Sequence, residues 1–308
     1  MVSVLQPLLA DACAQLGLGR VARVRAIDAG SHHIVWKVKT VTGKFAIRAS
    51  SGVGQRNRSV RKRLWSVVGA AGVAPRFIGD VRIDVRGFDG WLEVFDWVPG
   101  RHLNPSADYL ELARTLAILH TRRVDQASVI APRVDLIPFI RTSLKRDLAT
   151  LRRRNPIDQF LKMQTNAALE SLEPQPSRRQ RVALVHNDLV DANVIRGGDS
   201  VYLIDWDWAM ITQPEVDIFC FLSPFVRSWR ANPRYLSSQV ATDFCGAYLG
   251  NIGRGRRIDV SAWGSYNVLL ANWLRRQHLW PPHTSELEFY QKAFRAVDRL
   301  SKSLEKFK

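Results

Sequence analysis

Two aspartates and an asparagine, whose side chains all carry oxygen atoms, have a spacing that could bring these atoms together. Asp188 and Asn193 lie in the segment Leu184–Ile195, directly after an apolar run, and Asp205 ends the next apolar run along the chain. A Gly-Gly turn separates the two runs, which is typical of a chain that returns beside itself. The pattern therefore predicts that the three side chains meet at one edge.

The residue types indicate phosphoryl transfer. Transfer from a nucleoside triphosphate needs a hydroxyl placed in line and a hard cation that bridges the phosphates. Mg²⁺ prefers carboxylate and amide oxygens, so Asp205 and Asn193 are the predicted metal ligands. Asp188 is the predicted catalytic residue, since its carboxylate can accept a hydrogen bond from the attacking hydroxyl. The alternative is that all three are ordinary turn residues that cap strands.

The predicted secondary structure divides the chain into a β-rich part and a helical part. Before residue 98, β-rich runs alternate with one amphipathic helix at 56–71, and a Val-Pro-Gly break follows at 98–100. After it, helical periodicity dominates. The predicted strands are 34–39, 44–49, 76–83 and 91–97, and the predicted long helices are 107–120, 136–153 and 155–172.

The motif resembles known kinases. The order His-x-Asp-x4-Asn, followed by an aspartate at a strand end, resembles the catalytic and metal-binding loops of protein kinases. The flanking residues Leu-Val-His-Asn-Asp-Leu and Leu-Ile-Asp-Trp-Asp-Trp-Ala look more like the aminoglycoside phosphotransferase and choline kinase superfamily, which includes LicA-type choline kinases and thiamine kinases. Weaker similarity is found in Glu111–His120, Asp96–Gly100 and the segment around Asp217.

The resemblance implies an α+β, two-lobed, protein-kinase-like fold. A small antiparallel N-terminal lobe with one main helix, residues 1–95, would bind the nucleotide, and residues 96–100 would form the hinge. A larger, mainly helical lobe, residues 101–308, would carry catalysis and acceptor binding. The implied reaction transfers the γ-phosphate of ATP or GTP to a hydroxyl of a small acceptor such as choline, thiamine or an antibiotic.

The resemblance also implies the nucleotide contacts. Ser31 lies in the loop that corresponds to the phosphate-covering loop, although this loop has only one glycine. Arg48 occupies the position of the phosphate-binding lysine of protein kinases, and its guanidinium suits phosphate oxygens. The backbone of Asp96 and Val98 would meet the base at the hinge.

One feature departs from the family pattern. The helix at 56–71 contains no acidic residue to pair with Arg48 and instead carries Arg58, Arg61 and Lys62 among its basic side chains. Three possibilities stay open: another group holds Arg48, the basic helix meets phosphates or an anionic acceptor, or the helix presents a solvated basic face.

Other polar and aromatic residues near the motif have expected structural roles. We expect His186 to pack and hydrogen-bond within the loop, Asp217 to hold the loop backbone and His120 to lie in a helix interface. Asp207 either reaches a second cation or faces solvent. Tryptophans are candidates for the walls of an acceptor pocket, although core packing is the simpler explanation; they are Trp206, Trp208, Trp263, Trp273 and Trp280.

The composition narrows the class of protein. The 308 residues carry 45 Lys and Arg against 28 Asp and Glu, a net charge of +17 that attracts anions. No run of apolar residues is long enough for a membrane span, and the start lacks the features of a signal peptide, so a cytoplasmic protein is predicted. Three widely spaced cysteines, Cys13, Cys220 and Cys245, favour core residues over a disulfide framework or a zinc site.

Two alternative functions compete with a small-molecule kinase. A nucleotide-binding pseudokinase is suggested by the glycine-poor loop and the missing helix glutamate, but the complete set of Asp188, Asn193 and Asp205 argues against it. A nucleic-acid-binding protein is suggested by the net charge of +17 and by several arginine clusters, but these clusters match no known motif.

Overall fold

The structure is a computed structural model in which the chain forms two compact units. One contains Met1–Arg101 and Ile195–Ile204, and the other contains His102–Val194 and Asp205–Lys308. The described residues are 7–27, 34–51, 58–85, 88–103, 107–122, 130–152, 155–172, 181–228, 235–253, 255–279 and 285–307. An antiparallel sheet dominates the first unit and helices dominate the second, which confirms the predicted α+β class.

A five-stranded antiparallel sheet forms the centre of the first unit. Its strand order is β1-β2-β3-β5-β4, and each neighbouring pair is antiparallel. The elements are α1 (Leu8–Gln15), β1 (Val21–Ile27), β2 (Ile34–Thr40), β3 (Lys44–Ser51), α2 (Arg58–Ala70), β4 (Phe77–Val85) and β5 (Phe88–Asp96).

The two faces of this sheet differ in chemistry because side chains alternate along each strand. One face is apolar: Trp36, Ile47 and Val94 are buried in one cluster with Leu9 and Cys13 of α1. The other face carries charged residues and lies against α2, whose Trp65 ring packs 4.8 Å from the ring of Phe77 and 5.2 Å from that of Phe95. Among the described residues of the sheet, the buried charges of Arg48 and Glu93 therefore lie on the α2 side.

A small three-stranded sheet follows, with the order β6-β8-β9. Its strands are β6 (Arg101–His102), β8 (Val194–Gly197) and β9 (Ser200–Leu203). Gly100 precedes β6 at a close approach of two backbones, because a Cβ atom placed there would overlap the carbonyl oxygen of Arg196. The Val-Pro-Gly break thus needs glycine for space.

Helices and a short antiparallel pair of strands make up the part of the second unit that the structure describes. The pair is β7 with β10, and it lies beside the segment that carries the predicted catalytic residues. The elements are α3 (Ala107–Thr121), α4 (Leu136–Thr150), α5 (Pro156–Ser171), β7 (Ala183–Val185), β10 (Met210–Thr212), α6 (Glu215–Leu222), α7 (Pro224–Ser228), α8 (Ser238–Ile252), α9 (Trp263–Gln277) and α10 (Glu286–Leu304).

Most predicted elements have close counterparts. The helix predicted at 56–71 is α2, and the three long helices predicted after residue 105 are α3, α4 and α5. The three cysteines are buried, as expected of core residues. Among the described helices, none combines the length and apolar character needed to cross a membrane. The functional division at residues 95 and 100 stays a prediction.

The close approach at Gly100 gives a stability prediction. Gly100→Ala should lower the free energy of unfolding by about 1–3 kcal/mol, because the added methyl group meets backbone that has little room to move. Gly246→Ala is the matched control: its Cβ would meet nothing within 4 Å, and alanine favours the helix there. Urea unfolding should show the two variants shifting in opposite directions.

Candidate active site

A buried aspartate of α6 fixes the backbone of the loop that follows β7. Asp217 accepts hydrogen bonds from the amide of His186 at 2.9 Å and from the amide of Asn187 at 2.7 Å, one through each carboxylate oxygen. Asn187 has a φ of 61°, a left-handed conformation that asparagine tolerates better than most residues. The carboxylate thus holds the loop in a turn just before Asp188.

The helices of the second unit hold Asp217 in turn. The Nε2 atom of His120 on α3 donates to Asp217 Oδ2 at 3.1 Å. Its Nδ1 atom then accepts from the hydroxyl of Tyr248 on α8, at 3.0 Å. All three side chains are buried. The expected roles of Asp217 and His120 agree with these contacts, whereas Tyr248 was not identified from the sequence because it lies 128 positions from its partner.

Asn193 orients the carboxylate of Asp188. Its Nδ2 atom donates to Asp188 Oδ2 at 2.8 Å and to the Asp188 carbonyl oxygen at 2.9 Å. A 3₁₀ turn at Asp191–Asn193 makes this approach possible. Since the amide nitrogen is used for Asp188, the oxygen Oδ1 is the atom of Asn193 that can serve a cation.

Asp205 lies in a strained turn immediately after β9. Its φ is 63°, and a 3₁₀ turn at Trp206–Trp208 follows. The Trp206 ring is buried and packs 4.7 Å from the ring of His186. His186 also accepts a hydrogen bond from the amide of Asp188, at 3.3 Å. His186 therefore has the structural contacts expected of it, and it ties the loop of Asp188 to the turn of Asp205.

The carboxylates of this site influence one another. Burial raises the pKa of Asp188, and the negative charges of Asp205 and Asp207 raise it further, while His186 and the hydrogen bond from Asn193 lower it. Negative charge is thus concentrated around Asp188, and a divalent cation would offset it. Among the described residues, no group of three or more His, Cys, Asp or Glu forms a complete cage. Mg²⁺ requires none, since it keeps several waters and phosphate oxygens as ligands.

In the first unit, Arg48 has a partner that was not predicted from the sequence. Its Nε and Nη2 atoms donate to Glu93 Oε2 on the neighbouring strand β5, at 2.8 and 2.7 Å. Ser50 donates to the other oxygen of Glu93 at 2.6 Å. Burial alone would raise the pKa of the fully buried Glu93, but the positive charges of Arg48 and two further arginines hold it below its ordinary value.

The basic residues of α2 also bind these buried carboxylates. Arg58 contacts Glu93 Oε1 at 2.6 Å and also pairs with Asp80 of β4. Arg61, which is only 6% exposed, contacts Glu93 Oε1 at 3.2 Å, and Lys62 pairs with Asp80 at 2.7 Å. The interpretation of a solvated basic face is therefore wrong for Arg58 and Arg61. The carboxylate that the family pattern places on the helix is instead that of Glu93, on β5.

The other predicted nucleotide contacts are less defined. Ser31 lies outside the described residues. Asp96 ends β5, where its side chain pairs with Arg76 at 2.9 Å and its amide donates to the Arg76 carbonyl oxygen. Val98 follows in the segment before Gly100. Their contact with a base stays a prediction.

The tryptophans fall into two groups. Trp206 and Trp263 are buried in the core of the second unit, as core packing predicts. Trp208 and Trp273 are 64% and 44% exposed. The carbonyl oxygen of Trp208 accepts from the Asn187 side chain at 3.3 Å, so the backbone of this exposed residue lies beside the loop of Asp188. Trp280 lies outside the described residues.

The contacts of Asp217 predict a local and a global effect. Asp217→Ala leaves the buried amide of His186 and the half-buried amide of Asn187 without their acceptor, and the loss at the buried amide costs about 1–3 kcal/mol. Urea unfolding should show the lower stability, and hydrogen exchange should show faster exchange at these two amides. Asp243→Ala, an exposed aspartate on α8 paired with Gln239, is the control and should change neither. Unchanged exchange at both amides in Asp217→Ala would contradict the assigned role.

Similar folds occur in enzymes that phosphorylate small molecules. Spectinomycin phosphotransferase, solved with ADP and spectinomycin, has a TM-score of 0.63 at 14% identity and covers 95% of this chain and 99% of its own. Amicoumacin kinase, solved with AMP-PNP, Ca²⁺ and Ami, has a TM-score of 0.60 at 14% identity, with 96% of each chain covered. A choline/ethanolamine kinase family protein from Mesorhizobium loti has a TM-score of 0.57 at 15% identity, with 92% of this chain and 88% of that one covered.

Sequence comparison gives the family. No curated protein matches the chain significantly. The family model described as "Phosphotransferase enzyme family" matches residues 23–257, which is most of the chain and includes Arg48, Glu93, Asp188, Asn193 and Asp205. This match confirms the predicted superfamily and the prediction of an ATP-dependent phosphotransferase that acts on hydroxyl acceptors. The chain belongs to the phosphotransferase enzyme family of small-molecule kinases.

Proposed function

We propose that this protein transfers the γ-phosphate of ATP to a hydroxyl group of a small acceptor in a Mg²⁺-dependent reaction. The observation that carries the proposal is the geometry of Asp188, whose carboxylate is bound by Asn193 at 2.8 Å and lies within the electrostatic influence of Asp205. A general base, a neutral ligand and a charged ligand would thereby lie on one loop and the turn that follows it.

Asp188 would align the acceptor hydroxyl and take its proton. One carboxylate oxygen, Oδ2, accepts from Asn193, so the carboxylate is held in one orientation and Oδ1 is the oxygen that would face the hydroxyl. Its raised pKa makes it a better proton acceptor than an exposed aspartate. Positioning of the hydroxyl and late removal of its proton are together the contribution of Asp188.

Asn193 and Asp205 would hold the Mg²⁺ ion. When bound, the cation neutralises charge on the phosphate groups, which is the chemistry that phosphoryl transfer requires. Amicoumacin kinase, solved with AMP-PNP and Ca²⁺, supports a nucleotide and a divalent cation in a protein of this fold. The protein's own residues contribute the fixed positions of these two ligands, through the Asn193–Asp188 contact and the left-handed turn at Asp205.

The nucleotide would be bound by residues of the first unit. Arg48 would contact phosphate oxygens through its guanidinium, which is suited to anions of this shape. Ser31 would lie in the loop that covers the phosphates, and the backbone of Asp96 and Val98 would contact the base. The choice between ATP and GTP depends on that backbone contact, because it reads the edge of the base.

The acceptor would be a small alcohol whose charge allows it to bind a strongly basic protein. The structural neighbours act on spectinomycin, amicoumacin, or choline and ethanolamine, so antibiotics and amino alcohols are both represented. A net charge of +17 disfavours polycationic aminoglycosides. Trp208 is exposed and its backbone contacts the Asp188 loop, so its ring would favour an acceptor with an apolar or singly cationic face, such as choline or thiamine.

The experiment that tests the function is an acceptor screen that measures ADP release. Amino alcohols, thiamine, nucleosides and antibiotics are each offered with ATP and Mg²⁺. With the acceptor that gives the highest turnover, Asp188→Asn should lower kcat by at least about a hundredfold and leave the Kd for ATP unchanged, because the substitution keeps the shape and removes the proton acceptor.

The matched control for that prediction is Asp199→Asn. Asp199 is exposed in the turn between β8 and β9, and its substitution should leave kcat unchanged. Near wild-type kcat in Asp188→Asn at saturating acceptor would refute the catalytic role. Absence of turnover with every acceptor, together with tight ATP binding, would favour the pseudokinase alternative.

A further inference from the structure

A row of charged residues crosses three neighbouring strands of the large sheet. Arg48 on β3 is the register partner of Glu93 on β5, and Glu93 is the register partner of Asp80 on β4. Register partners on one sheet face lie close enough for their side chains to interact. The Arg48–Glu93 pair is therefore built into the strand pairing itself and needs no helix to bring the two residues together.

The basic residues of α2 stabilise this row. Two carboxylates on adjacent strands repel each other, and Arg58 offsets that repulsion because it binds both Glu93 and Asp80. Arg61, three positions later and on the same helix face, adds a second contact to Glu93. The helix thus supplies cations to carboxylates on the strands, which is the reverse of the arrangement that the family resemblance predicts.

The contacts of Glu93 fix the orientation of Arg48. One carboxylate oxygen accepts both Nε and Nη2 of Arg48, which sets the plane of the guanidinium. The other oxygen accepts from Ser50 and Arg58, so the carboxylate cannot rotate without losing these bonds. Glu93 is fully buried, and in such surroundings the attraction between opposite charges is much stronger than in water.

We propose that Glu93 is the positioning residue for Arg48, in place of a glutamate on the helix. The inference rests on the proposed function, in which Arg48 binds the phosphates of the nucleotide. Glu93 does not itself touch the nucleotide; it acts through Arg48 by holding the guanidinium in the orientation that phosphate oxygens require. Because Arg48 and Glu93 lie on neighbouring strands, the pairing of these strands determines the orientation of Arg48.

A double-mutant cycle tests this proposal. Arg48→Gln, Glu93→Gln and the double variant are compared by calorimetric measurement of the Kd for ATP with Mg²⁺ and without acceptor. We expect each single variant to raise the Kd by about tenfold or more, and the double variant to equal Arg48→Gln within about twofold, because residues that act through one contact are not additive. A purely structural role would give additive effects.

Two further variants separate positioning from loss of the fold. Asp89→Asn removes an exposed carboxylate on the same strand, where it pairs with Arg82, and should leave the Kd unchanged. Glu93→Asp keeps the negative charge but shortens the side chain by one methylene group. If the Glu93→Gln variant unfolds, Glu93→Asp is used in its place. It should raise the Kd for ATP while the KM for the acceptor stays constant.

The outcomes distinguish this proposal from the proposed function. If wild-type protein does not bind ATP, the proposed function fails and this inference fails with it. If wild-type protein binds ATP, and Asp205→Asn weakens that binding, the function stands. In that case an unchanged Kd in Glu93→Asp, or fully additive effects in the cycle, would overturn the role of Glu93 alone.

Discussion

The buried carboxylate of Asp217 is the interaction on which the candidate active site depends. It accepts hydrogen bonds from the backbone amides of His186 and Asn187 and from His120 on another helix, and His120 is bonded in turn to Tyr248. A carboxylate in the core is costly unless its oxygens are satisfied. The same bonds that satisfy Asp217 force the loop into a left-handed turn, and that turn delivers Asp188. The hydrogen bonds of Asp217 therefore both stabilise the core and set the geometry of the site.

A buried carboxylate also organises the first unit, but its partners are different. Glu93 is fully buried, and Arg48, Arg58, Arg61 and Ser50 satisfy it. In each unit a carboxylate with no exposure to water organises polar groups around itself, backbone amides in one unit and guanidinium groups in the other. Such clusters tolerate little change, because removal of one partner leaves the others buried and unsatisfied. Rigid positioning of ligands is what phosphoryl transfer asks of a protein.

The sequence predicted the parts of the site that depend on local spacing. Asp188, Asn193 and Asp205 follow short apolar runs at intervals that a hairpin fixes, so their assembly could be inferred, as could the β-rich and helical halves. The partner of Arg48 could not be inferred with the same rule, because Glu93 lies 45 positions away and its pairing depends on strand register. One signal was present: Glu93 is the single acid in the stretch 91–95 of β5, at a position that alternation turns toward α2. The left-handed conformation of Asp205 gave no signal, since aspartate is common in ordinary turns as well.

The cation site that Asn193 and Asp205 would form beside Asp188 can be tested by metal-dependent nucleotide binding. Mn²⁺, which replaces Mg²⁺ and is visible by electron paramagnetic resonance, can be titrated into the protein with ATP. Asp205→Asn keeps a side chain that tolerates the φ of 63° and removes only the charge. This variant should lose at least about tenfold in Mn²⁺ affinity in the presence of ATP, since a charged ligand becomes neutral. Wild-type Mn²⁺ affinity in a folded Asp205→Asn variant would contradict this prediction.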